Sequence, residues 1–170
     1  MYVSVKKGFT LIELLVVIIL LGIVTSLAVI SVGTSGVERK MEEEAKRLHA
    51  LIRLTREESI IQAKEIAFEV SKQDYQFLEY KEKKWVPVIN KVFKKRSLPA
   101  ELELRLETES ELKLFEAENE EWRRLYFLSS GEQTPFKMKI SVKNKAENYY
   151  QISGQFNGKL KIEHVDEHDY

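Results

Sequence analysis

The chain has 170 residues, with 27 basic and 27 acidic side chains, no cysteine and an apolar fraction of 44%. One domain's worth of chain without net charge excludes a wholesale polyanion binder, which needs a basic excess, and the missing cysteine removes disulfides, thiolate metal sites and cysteine nucleophiles. The averages conceal a division: residues 9–32 hold 18 apolar residues in 24, whereas residues 37–170 carry 51 of the 54 charges.

Residues 14–37 are 24 consecutive uncharged residues. As helix they extend about 36 Å, enough to cross a hydrocarbon core of roughly 30 Å. Lys6 and Lys7 precede the apolar run and Glu38 follows it, so the positive-inside rule keeps Met1 cytoplasmic and exports the remainder. A cleaved secretory signal is the competing reading, with Ser31-Val32-Gly33 as a weak cleavage site, but this run is longer than the usual 7 to 15 residues. Glu13 is the informative residue, because an ionisable side chain in such a segment costs roughly 2.5 to 3.5 kcal/mol on insertion scales. Either it reaches back to the headgroups beside Lys6 and Lys7, or it meets a partner charge within the membrane.

The stretch Lys6-Lys7-Gly8-Phe9-Thr10-Leu11-Ile12-Glu13-Leu14 resembles the class III signal of type IV pilins and pseudopilins. The resemblance implies that a prepilin peptidase cuts after Gly8 and methylates Phe9, giving an N-methylphenylalanine, with the apolar run retained. Glu13 then becomes the fifth residue of the mature chain, and its carboxylate is expected to meet the N-terminal ammonium of a neighbouring subunit during assembly. An opposite charge in low dielectric specifies register whatever its net energy. Many major pilins carry a proline in the second half of this segment; here Gly22, Gly33 and Gly36 occur and no proline precedes Pro87.

Beyond Gly36 the series Met41, Ala45, Leu48, Ile52, Thr55, Ser59 steps alternately by four and three between charged residues, which predicts an amphipathic helix ending near Ala63. With the apolar segment it makes one helix of about 55 residues, roughly 80 Å. The period then changes to two. Strands are predicted from Ile66, Phe68 and Val70, from Tyr75 and Phe77, over residues 85–89, and at Leu102, Leu104 and Leu106 continuing to Leu112 and Leu114. Further strands fall at residues 125–128, 136–142, 149–153 and 159–162. The turns expected between them are at residues 72–74, 81–84, 129–131 and 143–148, and Asn157-Gly158 is the strongest hairpin signal. The predicted class is α+β: a long N-terminal helix covered by one face of an antiparallel sheet. Residues 116–124 read as an exposed charged loop around Trp122.

Leu98-Pro99-Ala100, the run from Phe127-Leu128-Ser129-Ser130-Gly131 to Phe136, and Gly154 through Gly158-Lys159-Leu160 resemble the H-type minor pseudopilins of type II secretion systems. That likeness implies a prepilin leader at 1–8, a transmembrane and filament-core helix at 9–36 and a periplasmic head at 37–170. It further implies a structural subunit near the tip of a periplasmic pseudopilus that helps move folded proteins across the outer membrane. The implied partners are other minor and major pseudopilins, the prepilin peptidase, the inner-membrane assembly platform and inner-membrane lipid. No enzymatic activity and no cofactor or metal is expected, since the sequence lacks a Gly-rich phosphate loop, G-x-S-x-G and H-E-x-x-H. His164 and His168, four apart, read as part of a solvated acidic tail rather than a metal pair. The alternative is a minor type IV pilin acting in pilus assembly or DNA uptake; Lys137, Lys139, Lys143 and Lys145 would then hold phosphates, though they equally fit the wet face of a strand. A membrane-anchored periplasmic binding protein is a third class. Loss of residues 1–8 leaves 25 basic and 27 acidic residues, a charge of −2 before the new amine is counted.

Overall fold

The computed structural model describes residues 10–108 and 122–166, and within them all side chains but those of residues 24–35 and 146. Gly8, Phe9, Leu112, Leu114, most of the charged loop at 116–124 and His168 lie outside the described residues. The chain divides into two compact units, Met1–Val37 and Glu38–Tyr170. Helix α1, Leu11–Ile61, contributes to both.

In the second unit the helix buries the predicted stripe: Met41, Ala45, Leu48, Ile52, Thr55 and Ser59 are all at most 1% exposed. The two hydroxyls at the end of the stripe are satisfied locally. Thr55 Oγ1 donates to Leu51 O at 2.8 Å, and Ser59 Oγ lies 2.8 Å from Arg56 O and 3.3 Å from Leu128 O. Small polar residues therefore let the chain at Leu128 approach the helix without leaving a buried oxygen unpaired. The helix ends in paired bonds from Lys64 N to Ser59 O and Ala63 N to Ile60 O, with Ala63 left-handed at φ 50°. This is a Schellman ending with alanine where glycine is usual.

Among the described residues nine strands follow: β1 Ile66–Val70, β2 Asp74–Lys81, β3 Lys84–Pro87, β4 Arg96–Ser97, β5 Leu102–Thr108, β6 Arg123–Phe127, β7 Phe136–Val142, β8 Lys145–Gly154 and β9 Leu160–Asp166. They form two antiparallel sheets rather than one. The first has the order β3-β2-β1-β6, with β4 also on β2; the second has the order β5-β7-β8-β9. Alternation marks which face of a strand is buried but not which edge it joins, so the crossover of β6 to β1 had no signature. Phe68 lies opposite Phe77 and Leu125, and Met138 opposite Leu106 and Ile152. Apart from Leu106 at 8%, the residues of these rows are at most 1% exposed.

Several boundaries differ from expectation. The 143–148 turn is shorter: β8 begins at Lys145, a register shift at Ser141/Val142 absorbs the extra residues, and Asn144 takes φ 61°. The strand at 85–89 ends at Pro87, whose ring has no N–H for a ladder. The two-residue β4, Arg96-Ser97, is too short for alternation to mark it in the sequence. The acidic tail begins later than expected, since His164 lies in β9 opposite Tyr150. The Asn157-Gly158 hairpin forms as read: Gly158 N bonds Gln155 O at 2.9 Å, and Gly158 sits at φ 83°.

Candidate functional site

The start of α1 is built from its own first residues. Thr10 Oγ1 accepts a hydrogen bond from Glu13 N at 3.3 Å, and Glu13 Oε2 accepts from Thr10 N at 3.2 Å and from the Thr10 hydroxyl at 3.1 Å. This is a capping box, with threonine at the N-cap and glutamate three residues on. The carboxylate also lies at the positive end of the helix dipole. Glu13 thus has a partner within its own chain, besides the neighbour's ammonium that the sequence resemblance implies. The signal for it, Thr-x-x-Glu before an apolar run, stands in the sequence.

After this cap, eleven large aliphatic side chains between Leu11 and Ile23 are each at least 47% exposed, all round the helix. A helix apolar on every side demands lipid or other protein around it. Among the described residues no helix is long and apolar enough to cross a membrane. The described apolar side chains from Leu11 to Ile23 reach about 20 Å, and the rest of the 14–37 run falls largely on residues 24–35.

In the head, one arginine fastens the helix to two turns. Arg56 Nε donates to Gly131 O at 3.0 Å, and its Nη2 stands 3.5 Å from Asn157 O. A Cβ on Gly158 would fall 1.9 Å from Arg56 Nε, and one on Gly131 3.5 Å from Nη2. Both glycines are also left-handed, at φ 91° and 83°. Glycine is favoured at 158 by its left-handed φ of 83°, and a Cβ there would also displace the Arg56 guanidinium from its bonds to the two turns.

Two carboxylates of the head, Glu69 and Glu79, are buried and held in ion pairs. Arg124 Nε meets Glu69 Oε1 at 2.7 Å with both side chains under 10% exposed, and Gln76 Nε2 donates to the other oxygen. Glu79 is approached by Lys64 at 3.1 Å and Lys81 at 2.8 Å. Burial pushes the Glu79 carboxyl up, but the two lysines outweigh it and hold it below the usual carboxylate range. Burial, with Glu44 adding to it, raises the Tyr75 phenol to about 12. His49 is lowered by burial and by Arg53. His164 stacks on Tyr150 at 4.6 Å and reaches Asn148 Oδ1 at 2.8 Å. Among the described residues no group of three or more His, Cys, Asp or Glu could hold a metal ion. Lys137 and Lys139 alternate with the buried Phe136, Met138 and Ile140, on the outer side of β7.

A capped apolar helix running into a head of antiparallel sheets laid on its amphipathic half defines the class: a pilin-like filament subunit. Residues 4–29 match the prokaryotic N-terminal methylation motif, and residues 44–158 match the family described as type II transport protein GspH. The chain belongs to that GspH family of minor pseudopilins. It is 33% identical over 146 residues to the type II secretion system protein H of Pseudomonas aeruginosa, covering 80% of this chain and 83% of that one. The protein of the same name from Aeromonas hydrophila is 24% identical over 92% of this chain and 93% of its own. The solved minor pseudopilin EpsH of Vibrio cholerae superposes with a TM-score of 0.60 at 25% identity, covering 74% of this chain and 97% of that one.

Proposed function

We propose that this minor pseudopilin of a type II secretion system is processed between Gly8 and Phe9, anchored by one pass of the inner membrane, and drawn from there into the pseudopilus near its tip. Residues 1–8 are the leader, 9–36 the anchor and later the filament core, and 37–170 the periplasmic head, with Met1 on the cytoplasmic side. The prepilin peptidase and the assembly platform act on the chain in turn. The role is structural: the subunit helps the filament move folded proteins towards the outer membrane.

The observation that carries this reading is the all-round exposed aliphatic surface of Leu11–Ile23 directly after a Thr10–Glu13 cap. Such a surface can be exchanged from lipid to neighbouring helices at little cost, because both are apolar. Mass spectrometry of membrane-derived protein is expected to find a chain beginning at N-methylated Phe9, and pull-down is expected to retrieve the other minor pseudopilins. An intact Met1, or a start after Gly33, overturns the processing step. Retrieval of pilus subunits alone would move the chain to the type IV pilin system.

A further inference from the structure

The zero net charge of the chain hides a second asymmetry. Residues 81–96 hold seven lysines and arginines against Glu82 alone. They form the edge of the first sheet, from the end of β2 through β3 to β4. Lys83, Lys84, Lys91 and Lys94 are exposed and make no ion pair among the described residues; Lys72, Lys137, Lys143, Lys145 and Lys159 share that property, but only here do four such lysines fall within one twelve-residue segment. Between these free cations stand two aliphatic tips, Ile89 at 98% exposure and Val92 at 44%.

The segment is held firmly. Val88 N bonds Phe77 O at 2.9 Å, Asn90 Oδ1 accepts from Val92 N at 2.9 Å and Phe93 N at 2.6 Å, and the buried Phe93 ring packs on Phe77 at 4.9 Å. The hairpin tip before it keeps Glu82 and Lys83 at φ 50° and 65°, where Asn-Gly would be relaxed. Exposed cations and aliphatic tips on a backbone held in this way describe a surface whose main chain is already ordered for contact.

We infer that this edge is the face by which the head meets an acidic, partly apolar face of a different pseudopilin in the same filament. The inference rests on the function proposed above. A polyphosphate would use the lysines and gain nothing from Ile89, so an apolar contact must be part of the recognition. Lipid is the poorer occupant, because the edge adjoins Lys64 and Glu79 beyond the end of α1, about 35 Å of helix past Glu38. A second copy of this chain is poorer too, having a formal net charge of zero and ten of its nineteen described carboxylates already in intramolecular ion pairs. Lysines at such a contact steer and orient the partner while the aliphatic tips are desolvated.

The test places a photo-crosslinking amino acid at Ile89 in the full-length chain, in cells making the whole secretion system, with the same probe at Leu20 as control. The expected adduct at position 89 contains another pseudopilin by mass spectrometry, and K91E/K94E lowers its yield about ten-fold while the Leu20 adduct is unchanged. No adduct at 89, an adduct with a second copy, lipid or nucleic acid, or a yield indifferent to K91E/K94E overturns the inference. Loss of pseudopilin adducts at both positions instead overturns the filament reading itself.

Discussion

Glu69 and Arg124 face each other across β1 and β6, and breaking that pair from either side should cost far more than removing it altogether. Their contact is 2.7 Å with 7% and 9% side-chain exposure, and Gln76 completes the carboxylate's bonds from the other neighbouring strand. Arg124→Met leaves a carboxylate at 7% exposure with only the Gln76 amide; Glu69→Met leaves a guanidinium without its counter-charge, with the Tyr126 hydroxyl as a neutral partner. Truncating one partner of a buried pair costs about 3–5 kcal/mol, whereas replacing both with packed apolar residues is near neutral. For a head of this size a loss of 3–5 kcal/mol lowers Tm by roughly 10–20 °C. Thermal and urea unfolding of residues 38–170 in the four states of the double-mutant cycle measures the coupling. Single variants within about 1 kcal/mol of wild type would refute the reasoning, since the charges would then be solvated or interchangeable with neutral groups.

Other expectations are simpler to test. Ala63→Gly relieves the left-handed alanine at the helix end, φ 50°, worth about 1–2 kcal/mol of strain against roughly 0.5–1 kcal/mol of added chain entropy, so urea unfolding should show a small gain. Gly154→Ala puts a Cβ 2.2 Å from Phe136 Cε1 and 2.6 Å from Gln133 Nε2; the forced shift should cost about 1–3 kcal/mol by the same assay. Glu79 titrates below its ordinary 4.5 in the folded head, so its contribution is present above that value and lost as pH falls through the lower folded one. The stability gap between wild type and Glu79→Gln should therefore be full at neutral pH and close in acid; a constant gap would contradict the lysine pairing.

What could be read beforehand was whatever repeats with a period. The six-residue stripe from Met41 to Ser59 was legible because one helix face faces one core, and every member is buried. The outer Lys137 and Lys139 and the inner Met138 and Ile140 were legible for the same reason in strands. Sheet membership was not, since β6 satisfies its alternation equally well on either sheet and pairs with β1. Nor was Arg56, one cation among many on a charged helix face, whose role appears only when Gly131 and Gly158 are brought to it from 75 and 102 residues away. The basic edge at 81–96 was visible as composition, but its segments read as a turn and a strand taken separately.

Glu13 shows how a sharper local reading changes a functional test. The carboxylate closes a capping box with Thr10, so two separate properties sit on one residue: a hydrogen-bond acceptor that starts the helix, and a negative charge that a neighbour's ammonium can answer. Glutamine at this position keeps a capping box and removes only the charge, whereas alanine removes both. If assembly depends on the ion pair, Glu13→Gln and Glu13→Ala should be equally excluded from the filament while both remain membrane-inserted, and Thr10→Val should keep most of its co-assembly. If capping alone matters, Glu13→Gln should assemble like wild type, and Thr10→Val should fail with Glu13→Ala. Cross-linking yield to the other pseudopilins, normalised to membrane-bound protein, separates the two. We expect the charge to decide, because loss of a cap costs about 1 kcal/mol, small beside the surface that eleven exposed aliphatic side chains would bring to the proposed filament core.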